Sequence, residues 1–327
     1  MAEAPAGTEF RHCALFYQDP ADSLTAVLDF VRDGLARRDP VSIAVSGPTA
    51  LLLRRAVGDE QSGVEFHEMA ELGRNPSRIL SAANDFAASH RGQPVRRVEE
   101  PLWPRRSPAE VTEAIRHEAL VNLAFRGTPV SVLCLYDLMR LSPALTSCAE
   151  QTHPVVSAGG RTRVSADYLG PGVLPPECDY PLGPAPDDAA RLFYTRDLRS
   201  VRDLVAEHAT AAGLSRGRTA DLIIAASEVA ANTLKHTPNG GQLLIWHTCD
   251  EVICQLADRG TISDPLAGRR RPDRASSGCG LWVVNQICDL VELGSAPAAR
   301  WRGCTCGSSQ PGVATQSRQC PGRPGWR

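Results

Sequence analysis

The sequence lacks any apolar stretch approaching the roughly 20 residues that a membrane-spanning helix needs. Its first residues, MAEAPAGTEFRHC, also lack the basic segment and apolar run of a secretory signal, so we expect a cytoplasmic protein. Positive and negative charges are nearly balanced, because the sequence has 35 Lys and Arg residues and 37 Asp and Glu residues. This balance predicts neither direct nucleic-acid binding nor membrane binding.

The eleven cysteines include no C-x-x-C pair, and most are scattered along the chain. Cys134 and Cys254 lie within the apolar runs VLCLY and VICQL, where a free thiol behaves as a small hydrophobic side chain. The spacing therefore predicts reduced, buried cysteines rather than a cysteine-based metal site.

Proline is concentrated in residues 169–188, where six prolines exclude a helix or a central strand. This composition predicts a semi-extended linker between two domains, which a chain of 327 residues can accommodate. We therefore place the first domain at residues 10–168 and the second at residues 189–299.

Helical and strand-like patterns alternate before the linker. Apolar residues recur at helical spacing in residues 22–36, and a β-branched strand follows at residues 41–46. Ser107 and Pro108 begin a long helix as its N-cap and first residue, and residues 129–137 form an apolar strand. This order predicts an α/β domain with a mainly parallel sheet.

The order of elements changes after the linker, where two consecutive helices precede a pair of strands. This order predicts an α+β sandwich. The predicted elements are a strand at 191–198, helices at 201–214 and 215–236, a hairpin of strands 242–248 and 251–258, and a helix at 281–291.

Three polar residues share one face of the second helix of this domain. Glu228, Asn232 and His236 are spaced four residues apart. A carboxylate beside an amide oxygen suits Mg²⁺, which prefers oxygen ligands. Taken alone, this pattern also fits a solvated helix face, and His236 also fits a cation that caps the helix C-terminus.

Two further signatures follow in order along the chain. A strand ends in Asp258-Arg259-Gly260, where a carboxylate could accept a hydrogen bond from an adenine amino group. Gly278, Gly280 and Leu281 begin the last helix, where exposed backbone N–H groups favour phosphate. Each signature alone also fits an ordinary turn or close helix packing.

Taken together, residues 188–293 resemble the GHKL ATPase superfamily, whose N box contains the acidic residue and asparagine found here at Glu228 and Asn232. The resemblance implies ATP and Mg²⁺ as cofactors. It makes Asn232 the residue that holds Mg²⁺ against the triphosphate. It makes Glu228 the general base in members that phosphorylate a serine of a partner protein.

The other two boxes of the superfamily resemble the later signatures. In the G1 box, Asp258 would bind adenine and Gly260 would let the base approach the backbone. In the G2 box, Gly278 and Gly280 would line the phosphates at the start of the helix that Leu281 continues. The stretch from Ile262 to Leu293 is most similar to the anti-sigma-factor serine kinases. This resemblance implies a serine/threonine protein kinase whose partner is an anti-anti-sigma factor or a sigma factor, and it allows a homodimer.

Two alternatives stay open at this point. The module could bind ATP as a conformational switch without turnover. A sensor histidine kinase is the less favoured alternative, because it needs a histidine on a helix hairpin before the ATPase module. Residues 169–188 are a proline-rich linker instead, and His208 lies within the first helix of the module itself.

The first domain resembles the MEDS sensory domain in four segments, HCALFY, EEPLWPRR, RHEALVNLAF and VLCLYD. The resemblance implies a fold like that of RecA and KaiC and a small-molecule ligand. The segment SGPTALLLRR lacks the residues of a phosphate-binding loop, so no nucleotide is expected there. Candidates for a sensory pocket, which could equally stabilise the fold, are His12, Tyr17, Glu100, Trp103, Arg105 and Glu118.

The tail at residues 300–327 departs from the pattern of the superfamily, in which one more strand should close the sheet. From Trp301 onward there is no acidic residue and no regular apolar periodicity. One interpretation is a disordered native tail. We favour a shifted reading frame, because a two-base shift in assumed GC-rich codons restores the strand-like sequence Val-Ala-Arg-Val-His-Val-Arg. The expectation is that the tail does not join the ATPase sheet.

Overall fold

Two β-sheets, each covered by helices, organise the chain in a computed structural model that describes residues 9–58, 63–178, 182–272, 279–294 and 299–303. The first sheet belongs to the first domain and the second sheet to the C-terminal module. Among the described residues, none of the helices combines the length and apolar character needed to cross a membrane.

The first domain alternates strands and helices, as its sequence pattern predicts. Its helices begin at well-defined caps: Asp19 accepts a hydrogen bond from the N–H of Ala21, and Ser107 forms a capping box with Glu110. The strands are β1 (Arg11–Tyr17), β2 (Val41–Val45), β3 (Val64–Glu68), β4 (Val95–Glu99), β5 (Val130–Asp137), β6 (Val155–Ala158) and β7 (Arg161–Val164). The helices are α1 (Pro20–Arg37), α2 (Gly47–Val57), α3 (Met69–Leu72), α4 (Pro76–Ser89), α5 (Pro108–Ala124) and α6 (Pro143–Thr152).

The strand order of the first sheet is β3-β2-β4-β5-β1-β6-β7. Every neighbouring pair is parallel except β6 and β7, which confirms the predicted α/β class. The carboxyl ends of β1, β2, β4 and β5 consequently lie along one edge of the sheet, the edge at which open α/β sheets bind ligands.

The proline-rich segment packs against the first domain over part of its length. The N–H of Gly172 donates to the carbonyl of Ala119 on α5, at 3.1 Å. A short 3₁₀ turn at Pro176–Cys178 follows, and Cys178 is buried in the core beneath α5. Part of this segment is therefore anchored to α5.

The C-terminal module has an antiparallel sheet with the order β11-β12-β10-β9-β8. The apolar faces of its helices cover the sheet, which confirms the predicted α+β class. The strands are β8 (Ala190–Tyr194), β9 (Gly241–His247), β10 (Val252–Asp258), β11 (Val291–Leu293) and β12 (Ala299–Gly303). The helices are α7 (Arg199–Ala211), α8 (Arg216–His236) and α9 (Cys279–Ile287).

Strand β12 corrects one expectation from the sequence. The prediction that nothing from Arg300 onward joins the sheet is wrong for residues 300–303, because β12 pairs with β10 on one side and with β11 on the other. Its register places Trp301 opposite Leu256 of β10 and opposite Leu293 of β11. The rest of the tail, residues 304–327, lies outside the described residues.

Candidate functional site

A cavity of about 930 Å³ lies between α8, the end of β10 and the start of α9. This volume is within the range of about 300–1,000 Å³ that is typical of small-molecule sites. Of the residues predicted from the sequence, Asn232, Asp258, Gly260 and Leu281 line its wall. Gly278 lies outside the described residues.

Helix α8 presents its polar face to this cavity because its opposite face is buried against the sheet. Leu222, Ala226 and Val229 belong to the core of the module. Asn232 and His236 line the cavity one turn apart, near the end of the helix.

Asp258 is held in place at the end of β10 by two hydrogen bonds. The hydroxyl of Thr233 donates to Oδ2 at 2.6 Å, and the N–H of Gly260 donates to Oδ1 at 2.7 Å. A carboxylate fixed in this way can accept a hydrogen bond from a ligand amino group at the cavity wall. Thr233 and Thr237 also line the cavity, and sequence reasoning missed both. Thr233 directly follows Asn232, and Thr237, four residues later, caps the end of α8; this spacing is the signal that could have found them.

Gly280 brings the start of α9 against the polar face of α8. A Cβ atom at this position would lie 2.7 Å from Oε2 of Glu228 and 3.3 Å from Nδ2 of Asn232. The carboxylate and the amide therefore face the same point at the N-terminal end of α9. Glu228 faces Gly280 and is not among the residues that line the cavity. An oxygen-donor pair at a helix N-terminus fits a hard divalent cation carrying phosphate.

The loop between β10 and α9 forms the outer wall of the cavity. We call residues 264–272, which belong to the described part of this loop, the lid segment. Gly268 in this segment has φ +72°, and a Cβ atom there would lie 2.8 Å from Cβ of Leu281. Only glycine fits this left-handed, close approach. Both signs of charge line the cavity here, because Arg270 and Lys235 line it together with the carboxylate of Asp264, and Arg271 pairs with Asp85.

The first domain also contributes to this cavity and holds the lid segment. Arg269 is almost fully buried, and its Nη2 donates to Oε2 of Glu113 on α5 at 2.6 Å. Leu266 packs into the hydrophobic core of the first domain. Arg269 is therefore not a solvated side chain, unlike its exposed neighbours Arg270 and Arg271. Asp85 and Arg91, at the end of α4 and just beyond it, complete the wall.

Helix α4 contacts the helix at the back of the cavity as well. Nδ2 of Asn75 and Nε of Arg78 both donate to the carbonyl of Asn285, at 2.9 and 3.1 Å. Nε1 of Trp282 donates to Oγ of Ser81 at 3.0 Å. The first domain thus contacts both the lid segment and α9.

A second cavity, of about 450 Å³, opens at the carboxyl edge of the first sheet. Three of the sensory candidates, Tyr17, Glu100 and Trp103, line it together with Asp137 and Arg140. Oε2 of Glu100 accepts a hydrogen bond from the N–H of Ser46 at 3.0 Å. A carboxylate therefore occupies the N-terminus of α2, the position at which a phosphate-binding loop would hold phosphate.

The other sensory candidates lie elsewhere. Arg105 is exposed and does not line this cavity. His12 and Glu118 are fully buried and meet in the core on the α5 side of the sheet, where Nε2 of His12 lies 3.1 Å from Oε2 of Glu118. Burial and the neighbouring His153 lower the pKa of His12. Burial acts to raise the pKa of Glu118, but the neighbouring His12 and His153 hold it well below its ordinary value.

Burial raises the pKa of Glu100 to about 7. The unfolded chain therefore loses the Glu100 proton first, and stability falls as pH rises from about 4.5 to about 7, by on the order of 3 kcal/mol. We expect Glu100→Gln, which keeps an acceptor for Ser46, to raise the melting temperature at pH 8 and to change it little at pH 4.5. Calorimetric scans at both pH values test this, and an equal change at both would contradict it.

Together, the folds and cavities define a two-domain protein, with an α/β domain whose ligand-sized cavity opens at the strand ends and an α+β module whose cavity suits a nucleotide. Comparison with known families agrees. Residues 11–154 match MEDS, the MEthanogen/methylotroph, DcmR Sensory domain, and residues 194–301 match the Histidine kinase-like ATPase domain. The chain therefore carries a MEDS domain followed by a histidine kinase-like ATPase domain, an ATP-binding class.

Comparisons with curated proteins and with solved structures add no further evidence on function. No curated protein matches the sequence. A solved structure titled "ATPase Domain of G40P" is similar over 47% of this chain and 69% of its own length, with 11% identity and a TM-score of 0.33. A likeness at that TM-score carries no weight for fold or function.

Proposed function

We propose that the protein is a signalling regulator that binds Mg·ATP in its C-terminal module and phosphorylates or sequesters a partner protein under control of the MEDS domain. The observation that carries this proposal is that Asn232 of α8 and Asp258 of β10 line one cavity, and that Gly280 of α9 lies against Glu228 and Asn232 at its side. The match to a histidine kinase-like ATPase domain supports it.

The resemblance to GHKL ATPases gives each of these residues a role, and its surroundings are compatible with that role. Asp258, fixed by Thr233 and the N–H of Gly260, accepts a hydrogen bond from the amino group of adenine. Asn232 supplies an amide oxygen to Mg²⁺, which neutralises charge on the triphosphate. Backbone N–H groups at the start of α9 hold the phosphates. Glu228 beside Gly280 accepts the proton of a partner serine or threonine hydroxyl.

Control by the first domain follows from its contacts with the ATP site. The pair Glu113–Arg269 and the contacts of Asn75 and Arg78 with α9 join the MEDS domain to both sides of the cavity. A small molecule in the cavity beside Tyr17, Glu100 and Trp103 could shift this interface and so change the lid segment. The sensory role implied by the family name supports this part of the proposal.

The partner in this proposal is an anti-anti-sigma factor or a sigma factor. This assignment rests on the similarity of residues 262–293 to anti-sigma-factor serine kinases. A second candidate function is an ATP-dependent binding switch without turnover. Glu228 favours it, because this carboxylate faces Gly280 and does not line the cavity itself.

Removing the amide of Asn232 tests nucleotide binding. We expect Asn232→Ala to reduce Mg-dependent ATP affinity by at least a hundred-fold while the melting temperature in the absence of nucleotide changes little, because the side chain is partly exposed and faces the cavity. Titration calorimetry with Mg·ATP measures this. Asn239→Ala, at an exposed turn after α8 and outside the cavity, is the matched control. Equal Mg·ATP affinity in the two variants would show that Asn232 does not contribute to the nucleotide site.

Incubation with radiolabelled ATP and a sigma or anti-anti-sigma factor separates the two candidate functions. Acid-stable label on a serine or threonine of the partner supports the kinase. Complex formation that depends on Mg·ATP, without label on the partner, supports the switch. Acid-labile, alkali-stable label on this chain would support histidine phosphorylation and contradict both.

A further inference from the structure

Four buried side chains meet in the core of the MEDS domain, between the sheet and α5. They are His12 of β1, Glu118 of α5, Cys134 of β5 and His153, which follows α6. One ligand atom from each lies within 4.8 Å of all the others. Nε2 of His12 lies 3.1 Å from Oε2 of Glu118 and 3.4 Å from Sγ of Cys134. Nε2 of His153 lies 2.9 Å from the same carboxylate oxygen.

The spacing of these atoms suits a metal ion. In a tetrahedral site with metal–nitrogen distances of about 2.0–2.1 Å and a metal–sulfur distance of about 2.3 Å, neighbouring ligand atoms lie about 3.3–3.6 Å apart. The contacts of His12 with Glu118 and Cys134 differ from this spacing by only a few tenths of an ångström. Because every pair of ligand atoms lies within 4.8 Å, side-chain shifts of about an ångström would complete the shell.

Hydrogen bonds at the far side of each imidazole orient both rings toward the cluster. Nδ1 of His12 lies 3.1 Å from Oδ1 of Asn122, whose Nδ2 already donates to the carbonyl of Thr152 at 2.7 Å. Nδ1 of His153 lies 2.8 Å from the carbonyl of Ala149. Because both acceptors require a proton on Nδ1, a neutral imidazole in either position presents the lone pair of Nε2 to the cluster. This arrangement is typical of metal-binding histidines.

That arrangement leaves polar atoms without hydrogen-bond partners. Nε2 of His153 is fully buried and has no partner with hydrogen-bond geometry, although Oε2 of Glu118 is close. The other oxygen of Glu118, Oε1, also lacks a hydrogen bond. Two lone pairs facing a carboxylate in a closed core repel one another unless a proton or a metal cation lies among them.

We propose that His12, Glu118, Cys134 and His153 bind a divalent transition-metal ion of the zinc class. A thiolate and a carboxylate together balance the charge of one divalent ion, and two neutral imidazoles complete a four-coordinate shell of nitrogen, oxygen and sulfur. All four residues are buried, so the shell is closed like that of a structural site. The ion would join β1, β5, α5 and the end of α6 directly beneath the sheet whose edge carries the second cavity.

The test uses the full chain, free of any polyhistidine tag, purified after growth with added zinc. We expect about one zinc ion per chain by elemental mass spectrometry. X-ray absorption of that zinc should show a single sulfur ligand at about 2.3 Å among nitrogen and oxygen ligands. The cobalt-loaded protein should show the absorption bands of a tetrahedral ion with one thiolate ligand.

Two serine variants distinguish the site from other cysteines. Cys134→Ser should lose the thiolate band and at least a hundred-fold of zinc affinity, whereas Cys148→Ser, buried in the same core but outside the cluster, should keep both. A chain that ends after Gly303 has none of the tail cysteines and should retain its zinc. The proposal would be overturned if the folded protein contained no stoichiometric metal, or if the two serine variants gave identical cobalt spectra. It would also be overturned if the zinc had several sulfur ligands and was lost when the tail was removed. If Cys134→Ser does not fold, the X-ray absorption spectrum of the unmutated protein tests the proposal, because it shows whether the zinc has a single sulfur ligand.

Discussion

Ending the chain after residue 298 is expected to abolish cooperative folding of the ATPase module. The cut removes β12, which lies inside the sheet between β10 and β11. The registered pairing of β12 with β10 covers five residues, Cys254–Asp258, and its pairing with β11 covers three. Without β12, the buried Val291 of β11 loses its strand neighbour, and the backbone polar groups of β10 that face β12 are left unpaired, although those facing β9 keep their partners.

The matched control ends after Gly303 and keeps β12. We expect this shorter truncation to melt cooperatively and to bind ATP, whereas the longer one should lose ATP binding by at least a hundred-fold. Calorimetric scans and ATP titrations of the two chains make the comparison. If both chains melt and bind ATP alike, β12 contributes nothing and the tail is separate from the sheet, as the sequence suggested.

Glu113→Gln is expected to release the lid segment and to weaken ATP binding about ten-fold or more. The substitution leaves the guanidinium of Arg269 buried without its carboxylate, which costs about 3–5 kcal/mol in comparable buried pairs. The lid segment then leaves the first domain, and Gly268 and Arg270 no longer hold the wall of the ATP cavity. Titration calorimetry with Mg·ATP measures the affinity.

Two further variants show whether the lid segment causes this effect. Glu150→Gln removes the same charge from a pair with Arg163 at the surface of the first domain, and it should leave ATP affinity unchanged. The double variant E113Q/R269Q removes the buried guanidinium of Arg269 and leaves only Arg116, the partly exposed second partner of Glu113, without its carboxylate. It should therefore recover most of the stability without recovering affinity. Wild-type affinity in Glu113→Gln would show that the interface does not act on the nucleotide site.

Features that depend on local spacing could be predicted from the amino-acid sequence. The four-residue spacing of Glu228 and Asn232 predicted that both lie on one helix face, because residues four apart are neighbours on a helix. The apolar stripe on the opposite face predicted that this polar face is not buried against the sheet. Ser107 and Pro108 marked the start of α5, because a hydroxyl satisfies free N–H groups there and proline needs none. The alternation of strands and helices likewise predicted the parallel sheet. Strand β12 was missed because Ala299 and Trp301 alternate with arginines over only five residues, too short a pattern to distinguish from a polar tail.

Contacts between residues that are distant in sequence became known from the folded chain alone. It separated the sensory candidates into a cavity at the strand ends and a closed cluster, and it added His153 and Cys134 to His12 and Glu118. It also paired Arg269 with Glu113, 156 positions away. Such contacts produce no periodic pattern in the sequence, because they depend on strand order and on the packing of the two domains. The chemistry of each side chain is local to the sequence, but the set of side chains that share one site is a property of the fold.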